Sequence, residues 1–202
     1  MTRISSIVEG HGEVAALPVL LRRMASWRCP GRYIDVQPPI RVHRNRFLNR
    51  EDEFSRHLQL AGSKCGNDGW ILILFDADDD CPADLGRGVL ARAQRVLPNH
   101  SISVVLANRE FEAWFIGAAR SLNGQRGLVV TNADLNVEAE APRDAKGWLR
   151  HRMSSGTYGE TTDQPAFAAQ MDLQEALNRC RSFRKLCAEW DKQPSLIEPH
   201  IE

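Results

Sequence analysis

The sequence predicts an α/β fold: a mainly parallel sheet of four strands between helices, with a helical C-terminal extension. Three observations lead there. Ile71-Leu72-Ile73-Leu74-Phe75 is a continuous apolar run, the mark of a strand buried on both faces, as in parallel sheets. It ends abruptly in Asp76-Ala77-Asp78-Asp79-Asp80, and open α/β sheets gather ligand-binding groups at the C-terminal ends of their strands. From residue 3 to residue 119, short apolar runs alternate with helical patterns. That βαβαβαβα order implies parallel strands covered on both faces.

Arg3 to Val8 is the first strand, and Glu9-Gly10-His11-Gly12-Glu13 turns it into a helix carrying Val14, Leu17, Leu20, Leu21 and Met24 on one side. Pro18 is expected among that helix's first turns. Tyr33 to Val36 is the second strand, stopped by Pro38-Pro39. An arginine-rich connection, Arg41 to Arg50, leads to a helix over about Glu51 to Leu60. Trp70 to Phe75 is the buried strand. Pro82 opens a helix to Leu97 with Leu85, Val89, Ala93 and Val96 on one side, and Ser101 to Ala107 is the fourth strand. Asn108 to Phe115 turns into a helix reaching Ala119. Asn123 to Ala141 is polar and irregular. Helices are expected over Asp144–Met153, Phe167–Gln170, Leu173–Asn178 and Phe183–Trp190, with Pro165 and Pro194 between them. The expected organisation is a core over 1–122 and a mostly helical extension over 123–202 packed on it.

The 202 residues carry 26 basic and 26 acidic side chains, so global charge favours neither nucleic acid nor a membrane surface; only local patches can. The five cysteines are an odd number without a Cys-x-x-Cys pair, which argues against a disulfide framework or a zinc site and suits a reducing cytoplasm. Neither a signal peptide nor a membrane-length apolar run is expected.

Carboxylates recur after three of the predicted strands. Glu9 ends the first, and Glu13, four residues on, can aim into the same crevice. Asp76 and Asp78 follow the buried strand, with Asp79 and Asp80 beyond; Glu110 and Glu112 follow the fourth. A parallel sheet brings these ends together, and so many hard oxygen ligands suit Mg²⁺ or Mn²⁺ rather than zinc. Several other readings compete. Gly10-x-Gly12-x-x-Ala15 fits a dinucleotide fingerprint, but Glu9 and Glu13 would repel a pyrophosphate there. Asp76, Asp78 and Asp80 match the start of a calcium loop, which then fails at Cys81 and Arg87. Asp-x-Asp after a strand also opens haloacid-dehalogenase-type phosphatases, a reading that leaves the glutamates without a role. Asp79, Asp80 and Glu112 can equally be surface charges or helix caps.

In order and spacing the three motifs resemble the Toprim superfamily, the catalytic module shared by topoisomerases, primases and related nucleases. The chain is most similar to an uncharacterised bacterial Toprim-like family with a Val-Glu-Gly-x-x-x-Glu-like start, a strand ending in Asp-x-Asp and a Glu-x-Glu-Ala-Trp segment. The matching residues are Val8-Glu9-Gly10 with Glu13, Phe75-Asp76-Ala77-Asp78, and Glu110-Phe111-Glu112-Ala113-Trp114. Lys146, Tyr158, Pro165, Asp172 and Cys180 to Phe183 extend the likeness. The resemblance implies a Toprim, Rossmann-like fold using Mg²⁺ or Mn²⁺ for phosphodiester chemistry. The pair Glu9 and Glu13 is also similar to that of the overcoming-lysogenization-defect nucleases, which bind two metals, use a nearby lysine, work beside an ATPase and often serve phage defence. Lys146 is the lysine this likeness points to.

The expected function is therefore a metal-dependent nuclease acting on DNA or RNA in defence or repair. Two ions roughly 3.5–4 Å apart would clamp the attacking and leaving oxygens. Glu9, Asp76 and Asp78 are assigned to the first ion. Glu13, Glu110 and Glu112 are assigned to the second or to the attacking water, and Asp80 to a metal-bound water. Gly10 and Gly12 are expected to let a phosphate approach the turn. Arg41, His43, Arg44, Arg46 and Arg50 form the leading patch for nucleic acid, followed by Arg150-His151-Arg152 and by Arg179, Arg181, Arg184 and Lys185. The alternative is a non-catalytic Toprim-like subunit that recruits a separate ATPase. The sequence is compatible with a homo-oligomer and does not choose between DNA and RNA.

Overall fold

In a computed structural model describing residues 2–197, the apolar run lies at the heart of the sheet. β1 (Thr2–Val8) leads into α1 (His11–Arg28); β2 (Ile34–Val36), β3 (Ile40–Arg41), α2 (Arg44–Asn49) and α3 (Glu51–Cys65) follow. β4 (Trp70–Asp76), α4 (Pro82–Val96) and β5 (Ser101–Ala107) complete the sheet unit. Then come α5 (Ala113–Gly117), α6 (Ala119–Leu122), a 3-10 turn (Gln125–Gly127), α7 (Asn132–Leu135), α8 (Ala145–Arg150), α9 (Asp163–Gln170), α10 (Leu173–Arg179), α11 (Arg181–Trp190) and α12 (Pro194–Ile197).

Every strand pair is parallel, in the order β2-β1-β4-β5, with β3 also on β1. The sheet thus has five strands in four positions, one more strand than the sequence predicts. β2 and β3 share one edge: Gln37 N–H still donates to Ile4 O at 2.9 Å and Val42 N–H to Val8 O at 2.8 Å. Pro38 and Pro39 between them have no N–H to give, so the ladder breaks there and resumes at Ile40.

All seven residues of β4 are buried, and their alternation divides the core. Trp70, Leu72 and Leu74 pack with α1 and the C-terminal helices; Ile71, Ile73 and Phe75 pack with Phe47 of α2, Phe54 and Leu58 of α3 and Val89 and Ala93 of α4. Helices therefore leave β1 toward one face and reach β4 from the other. The crevice between the C-terminal ends of β1 and β4 is the point where strand order reverses, and Glu9 and Asp76 stand at its two lips.

The C-terminal helices share this core. Leu128, Phe167, Phe183 and Trp190 belong to the same cluster as Ile4 and Trp70, and the rings of Trp70 and Trp190 meet edge to face at 5.8 Å. Two prolines fall elsewhere than the sequence suggests. Pro18 is in the interior of α1, where it denies Val14 O its helical donor, because the helix already begins at His11. Pro165 lies in the first turn of α9, whose early N–H groups have no helical acceptor to lose. Among the described residues, no helix is long and apolar enough to cross a membrane.

Because Trp190 closes the core over Trp70, Trp190→Ala should cost about 3–5 kcal/mol. In urea titrations the variant's midpoint should fall while near- and far-ultraviolet signals still coincide. An early, separate C-terminal transition would contradict a shared core.

Candidate functional site

The crevice collects carboxylates from β1, α1, β4 and the turn after β5. Glu9 closes β1, and its Oε1 accepts the N–H of Asp76 at 3.1 Å, joining the two lips. Asp76 closes β4, is 9% exposed, and accepts the Phe111 N–H on Oδ1 at 2.7 Å. Glu13 is buried in the first turn of α1 and Glu112 is buried without exposure ahead of α5. Glu110 is half-buried, and its Oε2 accepts the main-chain N–H of Lys146 at 2.9 Å, fixing the start of α8.

Lys146 reaches into this group. Its Nζ lies 4.0 Å from Asp76 Oδ2, 4.0 Å from Glu112 Oε2 and 3.8 Å from Glu160 Oε1. These are ion-pair distances beyond hydrogen-bond length. Three further partners come from one short segment. Tyr158 donates its hydroxyl to Glu112 Oε1 at 3.3 Å, Gln164 donates Nε2–H to Glu13 Oε1 at 3.2 Å, and Glu160 faces Lys146. Glu13 Oε2, Glu112 Oε2 and Gln164 Oε1 are buried without a hydrogen-bond partner. No three carboxylate, imidazole or thiol groups stand together as a ready ligand set among the described residues. The cation already among the carboxylates is Lys146.

Burial governs the electrostatics. It pushes the Asp76 carboxyl well above its ordinary range; Glu112, Glu13 and Glu9 push the same way and Lys146 opposes them. Burial likewise raises Glu112 to about 8 against the pull of Lys146, with Glu13 and Glu110 adding repulsion. Glu9 is raised by burial too, relieved by the Asp76 N–H and by Arg44. Burial lowers Lys146, but Glu112, Asp76, Glu160 and Glu110 outweigh it, and its ammonium is held charged above the usual lysine range.

The aspartate loop after β4 behaves differently. Asp78, Asp79 and Asp80 are exposed. Arg44 takes two of them, with Nη1 3.5 Å from Asp78 Oδ2 and Nη2 2.6 Å from Asp80 Oδ2. Asp79 pairs with Arg109 at 2.7 Å and Arg143 at 3.6 Å. Asp78 and Arg109 both hold left-handed backbone, at φ +51° and +66°. They lock each other: Asp78 N–H donates to Arg109 O at 3.0 Å, and Arg109 Nη1 donates to Asp78 O at 3.2 Å. Such conformations cost on the order of 1–3 kcal/mol each and persist where the surroundings impose them.

Several sequence expectations are redistributed. Glu9, Glu13, Asp76, Glu110, Glu112 and Lys146 come together, whereas Asp78 and Asp80 are turned to Arg44 on the exposed rim. Of the basic patch, Arg41, His43, Arg46 and Arg50 are exposed, but Arg44 is committed to the aspartates. Among the other basic residues, Arg152 holds Asp134 through Nε at 2.7 Å, and Arg179 donates to Gly117 O and Val137 O. The glycine turn offers no room for a phosphate. A Cβ at Gly10 would stand 2.0 Å from Glu13 Oε2, and one at Gly12 would stand 1.5 Å from Gln164 Oε1. The chain's own side chains fill the space these glycines leave. Glu160 and Gln164 carry no sequence signal of their own. The Glu9–Glu13 pair was the available clue, because a buried Glu13 requires a donor from somewhere.

A family described as a domain of unknown function (DUF4276) matches residues 8–190. The chain belongs to this family. No curated protein and no solved structure matches it. The DUF4276 span takes in both the sheet and the C-terminal helices, and every site residue from Glu9 to Gln164 lies inside it.

In this DUF4276 chain, Glu112 keeps its proton to about pH 8 when folded and to about 4.5 when unfolded. Its stabilising protonation is complete below 4.5 and is lost as pH rises through 8. Glu112→Gln cannot lose it. With chelator present, the variant should match the wild type near pH 4 and exceed its unfolding free energy by about 5 kcal/mol above pH 9. A constant difference across that range would refute the assigned protonation.

Proposed function

We propose that the chain is a metal-dependent phosphodiesterase acting on nucleic acid, with a Toprim-like catalytic module. What carries this reading is the convergence of Glu9, Glu13, Asp76 and Glu112 at the reversal point of a parallel sheet, with Glu13 Oε2 and Glu112 Oε2 buried and without donors. Hard anionic oxygens short of a partner fit Mg²⁺ or Mn²⁺. These four residues would hold one ion or two, which would supply Lewis acidity at a phosphoryl oxygen and an activated water. Binding displaces the protons that burial keeps on Asp76 and Glu112, so affinity rises with pH. The chain's own groups supply the remainder. Lys146 places an ammonium where it can meet a phosphate oxygen, and Glu110 positions it through its main-chain N–H. Arg41, His43, Arg46 and Arg50 offer a strand of nucleic acid an exposed basic approach. Free thiols suit a reducing compartment, and we place the reaction in the cytoplasm.

One observation favours the second reading, a non-catalytic module that recruits a separate ATPase: Lys146 already neutralises part of the cluster. The two part on a direct assay. Plasmid DNA and RNA are incubated with wild-type protein in Mg²⁺ or Mn²⁺, with and without EDTA. Cleavage is expected, abolished by EDTA and reduced by more than about 100-fold in Asp76→Asn. That substitution keeps an acceptor for the Phe111 N–H, so the fold should survive, as circular dichroism will show. A folded Asp76→Asn protein that cleaves like wild type sinks the catalytic reading.

A further inference from the structure

Two buried carboxylates of the site are held in the same way. Glu112 gives Oε1 to the Tyr158 hydroxyl and Glu13 gives Oε1 to the Gln164 amide; the Oε2 of each has no hydrogen-bond donor, and only that of Glu112 has a cation near it, the Lys146 ammonium at 4.0 Å. Both donors are neutral, so each orients its carboxyl without adding a charge of its own. Both come from residues 158–164, a segment that reaches the sheet's reversal point from the C-terminal half of the chain. A carboxylate buried with one oxygen unsatisfied is costly, and two such oxygens in Coulombic reach of each other are costlier. The fold nonetheless shapes itself around this arrangement. Gln164 is fully buried, and only a glycine at position 12 leaves room for its amide. Tyr158 lies against Phe167, at 6.1 Å between ring centroids and nearly parallel, which fixes the hydroxyl's direction.

We propose that Tyr158 and Gln164 are positioning residues: each holds one oxygen of a buried carboxylate so that the other is presented to a divalent cation. This rests on the metal site proposed above and assigns the C-terminal half a direct part in it. Fixing ligand orientation through an outer partner is a general means of tuning a metal site, and loss of that partner typically weakens binding by about 10–100-fold. It also explains why Gly12 must stay small. A Cβ there would drive the Gln164 amide off Glu13 without touching a ligand atom itself.

Mn²⁺ binding to the apoprotein, followed by calorimetry and by the electron paramagnetic resonance of the free ion, tests this without reliance on catalysis. Tyr158→Phe and Gln164→Met should each weaken Mn²⁺ binding by about 10-fold or more. Gly12→Ala should reproduce the Gln164→Met loss, and the double variant should lose little beyond either single one. Melting temperatures taken in EDTA separate a structural role: Tyr158→Phe leaves Glu112 Oε1 without its donor and should melt roughly a few degrees lower, whereas a merely structural tyrosine would leave the folded protein's Mn²⁺ affinity unchanged. Wild-type protein that binds Mn²⁺ with variants of unchanged affinity overturns this inference alone. Wild-type protein that binds no Mn²⁺ overturns both it and the metal-dependent reading.

Discussion

Several carboxylates are confined to one half-dry crevice, and most of what surrounds them follows from that confinement. Glu9, Glu13, Asp76 and Glu112 repel one another and are each short of water. Like charges so placed must be neutralised by protons, by cations or by donors. The structure uses all three. Protons are retained on Asp76 and Glu112, Lys146 stands among the oxygens, and main-chain N–H groups of Asp76 and Phe111 reach Glu9 and Asp76. What no hydrogen-bond donor reaches is one oxygen on Glu13 and one on Glu112, the latter with the Lys146 ammonium 4.0 Å away. A protein selected for stability alone would do better with apolar side chains there, which is why the arrangement reads as functional.

The same confinement accounts for the C-terminal half. Without the stretch from α8 to α9 the crevice would lose the donors of Glu13 and Glu112 and the ammonium of Lys146. Lys146, Tyr158, Glu160 and Gln164 all arrive from that half, and α9 packs along α1 so that Gln164 meets Glu13. The site and the core are therefore built by the same contacts, and Trp190 over Trp70 belongs to the same packing as Phe167 under Tyr158.

The aspartate loop is a separate electrostatic unit. Arg44 bridges Asp78 and Asp80, Arg109 holds Asp79, and two left-handed residues grip each other across the ends of β4 and β5. Its carboxylates are exposed and screened by salt, so its ion pairs contribute little to stability. Its effect is geometric: it keeps three charges off the buried group while leaving Asp78 close enough to Glu9 to be felt.

Some of this was legible in the residues themselves. The unbroken run from Ile71 to Phe75 reads as a strand covered twice, and with the alternation of strands and helices it pointed to a parallel sheet with helices on both faces. Carboxylates after β1, β4 and β5 then had to meet at one edge, because parallel strands point their C-terminal ends the same way. Spacing could not say which of them would be buried. Asp76 and Asp78 are two residues apart, yet one closes the strand and the other turns outward through a left-handed backbone. Nor could charge counting show that Arg44 would be spent on aspartates, since that pair spans residues brought together only when α2 lies beside β4. Gln164 and Glu160 were invisible for the same reason: their meaning lies 151 and 14 residues away along the chain, at Glu13 and Lys146. Local sequence determined the elements and the rim on which the acids gather. The packing of α9 on α1 decided which acids are dry, which donors they meet and which oxygens are left over.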